Sequence, residues 1–193
     1  FDVMIDVDLR YNLNMRIIGM ARSEEKVLTV FEDELRLPNV DLIYQDINES
    51  IIYDSVIDYI FHTAGPAAPV DFKNIPVETL WSHVNGTHNI LECARTHETK
   101  KVFYVSTVEI YGEWNKEQNI LEEDMGILQH LNFRACYPEA KRLCETMFTA
   151  YEKEYGIKYC GVRFSHTLGP GILLDDGRAF AEFLDCAFKG KDI

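Results

Sequence analysis

The sequence predicts a doubly wound α/β protein, a parallel sheet with helices on its faces. Two observations carry this. Short runs rich in β-branched and aromatic residues alternate strictly with longer stretches of helical periodicity, and the short runs are apolar on both faces, as buried parallel strands are.

The elements can be justified in order. FDVMIDVDLR reads as a helix that leads into a first strand, MRIIGMA (15–21). SEEKVLTVFEDEL (23–35) has apolar residues at three- and four-residue spacing, with Ser23 as N-cap and Glu24 and Glu25 behind it. VDLIY (40–44) and DYIFHTA (58–64) are the next strands, and PVETLWSHVNGTHNILECARTH (76–97) is a long helix. KVFYVST (101–107) is a strand that ends in hydroxyl side chains. CYPEAKRLCETMFTAYEKEYG (136–156) is a helix stopped by Gly156, with Leu143, Met147, Ala150, Tyr151 and Tyr155 expected as its sheet-covering stripe. IKYCGVRFS (157–165) is a last strand, and FKGKDI reads as a helix just finished.

A nucleotide-binding sheet of this kind opens with a strand and a glycine-rich turn, and neither precedes residue 15. The sequence therefore reads as truncated at both ends: residues 1–170 form a dinucleotide-binding domain lacking its first strand and turn, and 171–193 begin a small substrate lobe.

Composition narrows the function. With 193 residues, 47% hydrophobic and 26% charged, the chain can build one sizeable core. A formal charge of −13, from 32 acidic against 19 basic residues, repels polyanions, so neither nucleic acid nor a membrane surface is an expected partner. The five cysteines show no CxxC pair and read as reduced thiols of a cytoplasmic protein. The six histidines have no ligand spacing, and Asp175 and Asp176 beside Gly177 suit a turn or cap, so no metal is expected.

Ligands of open α/β sheets bind beyond the carboxyl ends of the strands, which singles out Ser106, Thr107 and Glu109 in STVEIYG. Taken alone, this cluster suits a strand end with a solvated glutamate. Tyr137 and Lys141 alter that balance. Four residues apart on one helix, they share a face, and an ammonium near a phenol favours the phenolate, a general base toward a sugar or alcohol hydroxyl. Arg22 and Ser23 follow the strand at 15–21, where an Arg can pair with a 2′-phosphate or can simply be a surface charge before a helix.

Taken together, DYIFHTAGPAAP, HVNGTHNILECAR, STVEIYG, CYPEAK and VRFSHTLGPG resemble the motifs of the extended short-chain dehydrogenase/reductase family, the NAD-dependent epimerases and dehydratases of nucleotide sugars. GPAAPVDFKNIPVETL, RACYPEAKR and LLDDGRAFAEF are similar to UDP-glucuronate decarboxylases and 4,6-dehydratases within it.

The resemblance implies a Rossmann-like fold and a cofactor, NAD first with NADP as the alternative, that takes hydride from C4 of a nucleotide-diphosphate sugar and returns it. It makes Tyr137 the base and has Lys141 bind the nicotinamide ribose and lower the tyrosine pKa. Thr107 orients the C4 hydroxyl, Glu109 is a second acid/base group, and Arg178 meets the substrate's charged part. Asp46 and Ile47 flank adenine, Ala64 and Gly65 pass under the pyrophosphate and ribose, and His166 lies on the sugar side, with Arg22 among the cofactor contacts. It also implies a homodimer through the helices at about 76–97 and 136–155, whose apolar residues include Trp81, Ile90, Phe148 and Tyr151.

The chain departs from the family at several positions. Val108 stands where the dehydratases have Asp and the decarboxylases Ser, and valine can neither donate a proton nor bind a carboxylate. His83, His166 and Leu168 replace an Asn, an Asn and a Tyr. A divergent, non-catalytic relative that binds a nucleotide or a protein partner is the alternative reading.

Overall fold

A computed structural model describes residues 2–115, 117–169, 174 and 177–192. The chain forms two compact units on either side of the Ile51–Ile52 link.

The first unit runs α1 (Asp2–Tyr11), β1 (Ile17–Ala21), α2 (Glu24–Val30), a 3₁₀ turn at Glu34–Arg36, and β2 (Val40–Tyr44). β1 and β2 pair in parallel from Ile17 opposite Val40 to Ala21 opposite Tyr44. The Asp8 carboxylate ties the helix to the strands, accepting from the Met15 amide at 2.8 Å and from Asn39 Nδ2 at 3.0 Å. Ser23 caps α2 as its type and position require, its Oγ accepting from the Lys26 amide at 3.4 Å. The helix expected over 23–35 stops at Val30. Its last turn holds no cation and Glu32, Asp33 and Glu34 follow directly, and anions at a helix C-terminus oppose the dipole.

The second unit runs β3 (Tyr59–His62), α3 (Pro69–Asn74), α4 (Pro76–Thr96), β4 (Lys101–Thr107), α5 (Cys136–Tyr155), β5 (Tyr159–Phe164) and α6 (Ala179–Lys189). Its sheet is parallel in the order β3-β4-β5. Period-2 alternation puts Val102, Tyr104 and Ser106 of β4 into the core. α4 turns Thr79, Ser82, His83, Gly86, Thr87 and Leu91 inward, and its small residues allow α5 to pack closely. Leu91 and Phe148 are wholly buried, each worth roughly 1.5–3 kcal/mol of transfer free energy.

The stripe of α5 that enters the core differs from the one expected. Tyr137, Ala140, Lys141, Cys144 and Phe148 face inward, whereas Leu143, Ala150 and Tyr155 are exposed. The helix is apolar on two faces, and periodicity alone could not say which one meets the sheet. Of the residues expected on an outer dimer face, Trp81 is half exposed, but Ile90 and Phe148 belong to the core. α5 ends as expected at Gly156, in left-handed conformation at φ 76°.

The connection from β4 to α5 is held down by arginines. Arg142 Nε donates to the Ile110 carbonyl at 2.6 Å and Nη2 to Gly126 O at 3.0 Å. Arg163 binds both carboxylate oxygens of Glu145 and the Tyr111 hydroxyl. The five cysteines are free thiols, with Cys93, Cys136 and Cys144 buried. Among the described residues, no helix is long and apolar enough to cross a membrane and no acidic, histidine or cysteine cluster could hold a metal ion.

Candidate active site

β4 ends at Thr107 and the chain rolls into a 3₁₀ turn, Val108–Tyr111, with Thr107 as its N-cap. The Thr107 Oγ1 accepts from the Glu109 amide at 3.2 Å, which leaves its proton free to point elsewhere. Thr107 lies close enough to Tyr137 to favour its ionised form.

Tyr137 opens α5 and is 8% exposed. Phe72 of α3 stacks on its ring at 4.5 Å and 18°, and His83 of α4 meets it edge-on at 5.3 Å. Phe72 was not singled out in the sequence. An aromatic in the short helix opened by Pro69 was the only signal, and nothing local ties it to a tyrosine 65 positions away by number.

Lys141 shares the face of Tyr137, as four-residue spacing requires, and its ammonium is bonded to the strand beneath. Its Nζ donates to the Val105 carbonyl at 2.8 Å and lies 4.8 Å from the Tyr104 ring centroid, against 5.8 Å for the Tyr137 ring. Burial pushes the Tyr137 pKa above the ordinary phenol value; Thr107 lowers it, the Glu109 charge raises it, and Arg178 and Arg134 lower it. Lys141 is itself only 4% exposed, and loss of hydration brings its pKa down to about 8. Sequence spacing shows that two side chains share a face but not that the sheet beneath takes one of them.

Glu109 is paired. Both carboxylate oxygens accept from Arg134 Nη2, at 3.1 and 2.8 Å. Arg134 lies in the 3₁₀ turn Phe133–Ala135 before α5, where Asn132 Oδ1 accepts from its amide at 3.0 Å. It stood inside the RACYPEAKR motif without an assigned role.

Behind the pair lies a polar chain in which each donor is fixed by its neighbour. Cys144 Sγ donates to the His83 carbonyl, Thr87 Oγ1 donates to Cys144 Sγ at 3.1 Å, and His62 Nε2 must then donate to Thr87 at 3.0 Å. His83 Nε2 donates to the Pro66 carbonyl at 2.9 Å. Nδ1 of both rings is buried with no hydrogen-bond partner, so a second proton there would find no acceptor and the neutral rings are favoured. Burial, with Lys141 nearby, lowers His62 to about 3 and His83 to about 4.

The remaining expected residues fall as follows. Ala64 and Gly65 lie half-buried in the loop after β3, and Gly65 adopts φ +130° against the His83 ring. Arg178 caps α6 and is close enough to act on Tyr137 electrostatically. His166 is exposed in the bend after β5. In the first unit, Asp46 Oδ1 accepts from the Asn48 amide and Nδ2, Oδ2 lies 3.8 Å from Arg22 Nη1, and Ile47 is buried. Leu173, Asp175 and Asp176 lie outside the described residues.

A parallel sheet whose middle strand, β4, ends beside a buried Thr-Tyr-Lys cluster puts that cluster where open α/β proteins bind their ligands. The chain belongs to the NAD dependent epimerase/dehydratase family, whose model matches residues 8–193. It is 33% identical over 154 residues to UDP-glucuronic acid decarboxylase 6 of Arabidopsis thaliana, covering 80% of this chain and 44% of that one. It is 34% identical over 155 residues to UDP-glucuronic acid decarboxylase 1 of Xenopus tropicalis, covering 80% and 36%. The chain thus spans less than half the length of these relatives. Its fold is similar to UDP-glucose 4-epimerase of Thermotoga maritima, with TM-score 0.76, 20% identity, and 98% and 60% of the two chains covered. A second similar structure is dTDP-glucose 4,6-dehydratase of Bacillus anthracis in complex with NAD, with TM-score 0.74, 18% identity, and 99% and 58% covered.

Proposed function

We propose that this protein is a NAD-dependent nucleotide-sugar enzyme that transiently oxidises C4 of a nucleotide-diphosphate hexose, of the UDP-glucuronate decarboxylase or 4,6-dehydratase kind. The observation that carries the reading is the convergence of Thr107, Tyr137 and Lys141 where β4 ends and α5 begins.

The donor set fits a dinucleotide. Lys141 is a buried ammonium that uses one of its three protons, on Val105, so a ligand presenting hydroxyl oxygens there would relieve a costly burial. In the second unit, Lys141 and Tyr137 would hold the nicotinamide ribose, and Ala64 and Gly65 would pass under the pyrophosphate and ribose; in the first unit, Asp46, Ile47 and Arg22 are the residues suited to adenosine. Arg22 already faces Asp46, which leaves NADP as the alternative to NAD. When bound, the cofactor supplies a hydride acceptor and donor.

The protein's own part is proton handling. Thr107 orients the C4 hydroxyl and favours the ionised form of Tyr137, which is to take that hydroxyl's proton; Glu109, with its carboxylate held by Arg134, serves as the second acid/base group. His166 and Arg178 contact the sugar and its charged part, and residues 171–193 begin the substrate lobe. The outer faces of α4 and α5, where Trp81, Leu143 and Tyr155 are exposed, form a homodimer. A cytoplasmic location accords with the free thiols.

The test is absorbance of bound cofactor on mixing with UDP-glucuronate, UDP-glucose or dTDP-glucose, with Tyr137→Phe as control. Reduction by one of them, absent in the control, is the expected result; full turnover by Tyr137→Phe would overturn the mechanism.

One observation favours the second reading, a non-catalytic binder. Val108, half-buried in the turn between Thr107 and Glu109, brings no proton donor to the sugar side. Cofactor binding without reduction by any of the three sugars is its signature.

A further inference from the structure

We propose that Arg134 is a positioning residue of this site: its guanidinium ties up the Glu109 carboxylate, screens that charge from Tyr137 and, through Phe72, backs the phenol ring. The role of Tyr137 as base rests on the function proposed above, but the arrangement stands on geometry alone.

Arg134 is fixed from three sides. One nitrogen, Nη2, serves both oxygens of Glu109 at 3.1 and 2.8 Å. Its guanidinium carbon lies 4.5 Å from the Phe72 ring centroid, and Phe72 stacks on Tyr137 at the same 4.5 Å. Its amide is held by Asn132 at 3.0 Å in the turn that launches α5.

A half-exposed ion pair is by itself worth little to stability. Here the two members do something else. Glu109 lies close enough to disfavour the phenolate and Arg134 close enough to favour it, so the two act on Tyr137 in opposite directions, and removing either leaves the other's charge unopposed by its partner. The other charged or titratable groups around the phenol include Lys141 on its own helix, His83 on α4, Tyr104 on β4 and Arg178 at the start of α6. Arg134 also touches the ring that packs on Tyr137. Planarity matters to both contacts, which a lysine could share only in part.

The experiment replaces tyrosine with 3,5-difluorotyrosine, which brings phenol ionisation into the neutral range, and follows each resonance by 19F NMR against pH. Tyr137→Phe assigns the signal. No cofactor or sugar is present, so failure of the proposed function leaves the measurement intact, and the reverse.

Arg134→Gln is expected to raise the Tyr137 midpoint by about half a unit or more, and Glu109→Gln to lower it, because each leaves one charge unscreened. Arg134→Gln combined with Glu109→Gln returns it toward wild type. Loosening of the fold would move both single variants in the same direction, and that result, or an unchanged midpoint in both, overturns the proposal. Should Arg134→Gln fail to fold, Glu109→Gln alone still decides, since a midpoint that does not fall contradicts screening.

Discussion

Lys141 reaches past Tyr137 to the strand beneath it, its Nζ 2.8 Å from the Val105 carbonyl oxygen. A single acceptor is poor compensation for an ammonium that is 4% exposed, and loss of hydration brings its pKa to about 8. Between about pH 8 and 10.5 the unfolded chain therefore holds a proton that the folded chain has released. Stability contributed by this group rises with pH through that window.

Lys141→Met removes the buried charge and its titration. Its stability relative to wild type should be greatest near neutral pH and should fall by on the order of 2–3 kcal/mol as pH approaches about 10.5. Taking the difference between the two proteins cancels the tyrosine and cysteine titrations common to both. Urea unfolding at several pH values measures it; a pH-independent difference would mean that Lys141 is not titrating as a buried cation.

Tyr137→Phe deletes one oxygen and leaves the stack on Phe72 and the edge contact with His83 in place. The fold should persist, shown by an unchanged circular dichroism spectrum, while sugar-dependent reduction of cofactor falls by about 10²–10⁴, the usual contribution of a positioned general base. A loss of folding together with activity would make the residue structural.

Much of the fold and part of the site were legible in the sequence, for identifiable reasons. β4 runs over Lys101–Thr107 as expected because seven consecutive strand-forming residues end in hydroxyls, and α5 ends at Gly156 because a left-handed cap there suits glycine. Tyr137, Lys141 and Thr107 come together because helical spacing and strand ends are local facts. What could not be read was the choice between two apolar faces of α5, the stop of α2 at Val30, and the neighbours that set the ionisation of Tyr137. Phe72 and the His62–Thr87–Cys144 chain are brought by elements distant in sequence, Arg134 stands three residues from Tyr137 but meets Glu109 only in the fold, and burial, the first cause of the shifts at Tyr137 and Lys141, is a property of the packed whole.

Acid should weaken the second unit through its two buried histidines. His62 and His83 are neutral in the fold, with pKa lowered to about 3 and about 4, whereas in the unfolded chain both take up protons near pH 6.5. Their contribution is complete above about pH 6.5 and declines as pH falls toward those lower values. His83→Asn keeps a donor for Pro66 and cannot titrate, so it should lose roughly 2–3 kcal/mol less than wild type between about pH 7 and 4. Trp81 and Trp114 both lie in this unit, so tryptophan fluorescence in urea reports its unfolding directly. Equal losses in the two proteins would show that His83 is not a buried neutral ring.

Gly65 is the position at which backbone and site depend on each other most. Its φ of +130° is one that residues with a side chain rarely adopt, and a Cβ there would lie 2.5 Å from His83 Nδ1. Gly65→Ala should therefore destabilise the second unit by more than about 1 kcal/mol, through backbone strain and the clash together. The two causes separate in a double-mutant cycle. Removing the ring with His83→Ala abolishes the clash but leaves the strain, so the alanine at 65 should cost less in that background, with a coupling on the order of 1 kcal/mol. The ring cannot retreat freely, because Nε2 is bonded to the Pro66 carbonyl and its edge abuts Tyr137 at 5.3 Å. Gly65→Ala should for that reason also shift the Tyr137 ionisation, whereas additive stabilities in the cycle would mean that His83 moves aside without consequence.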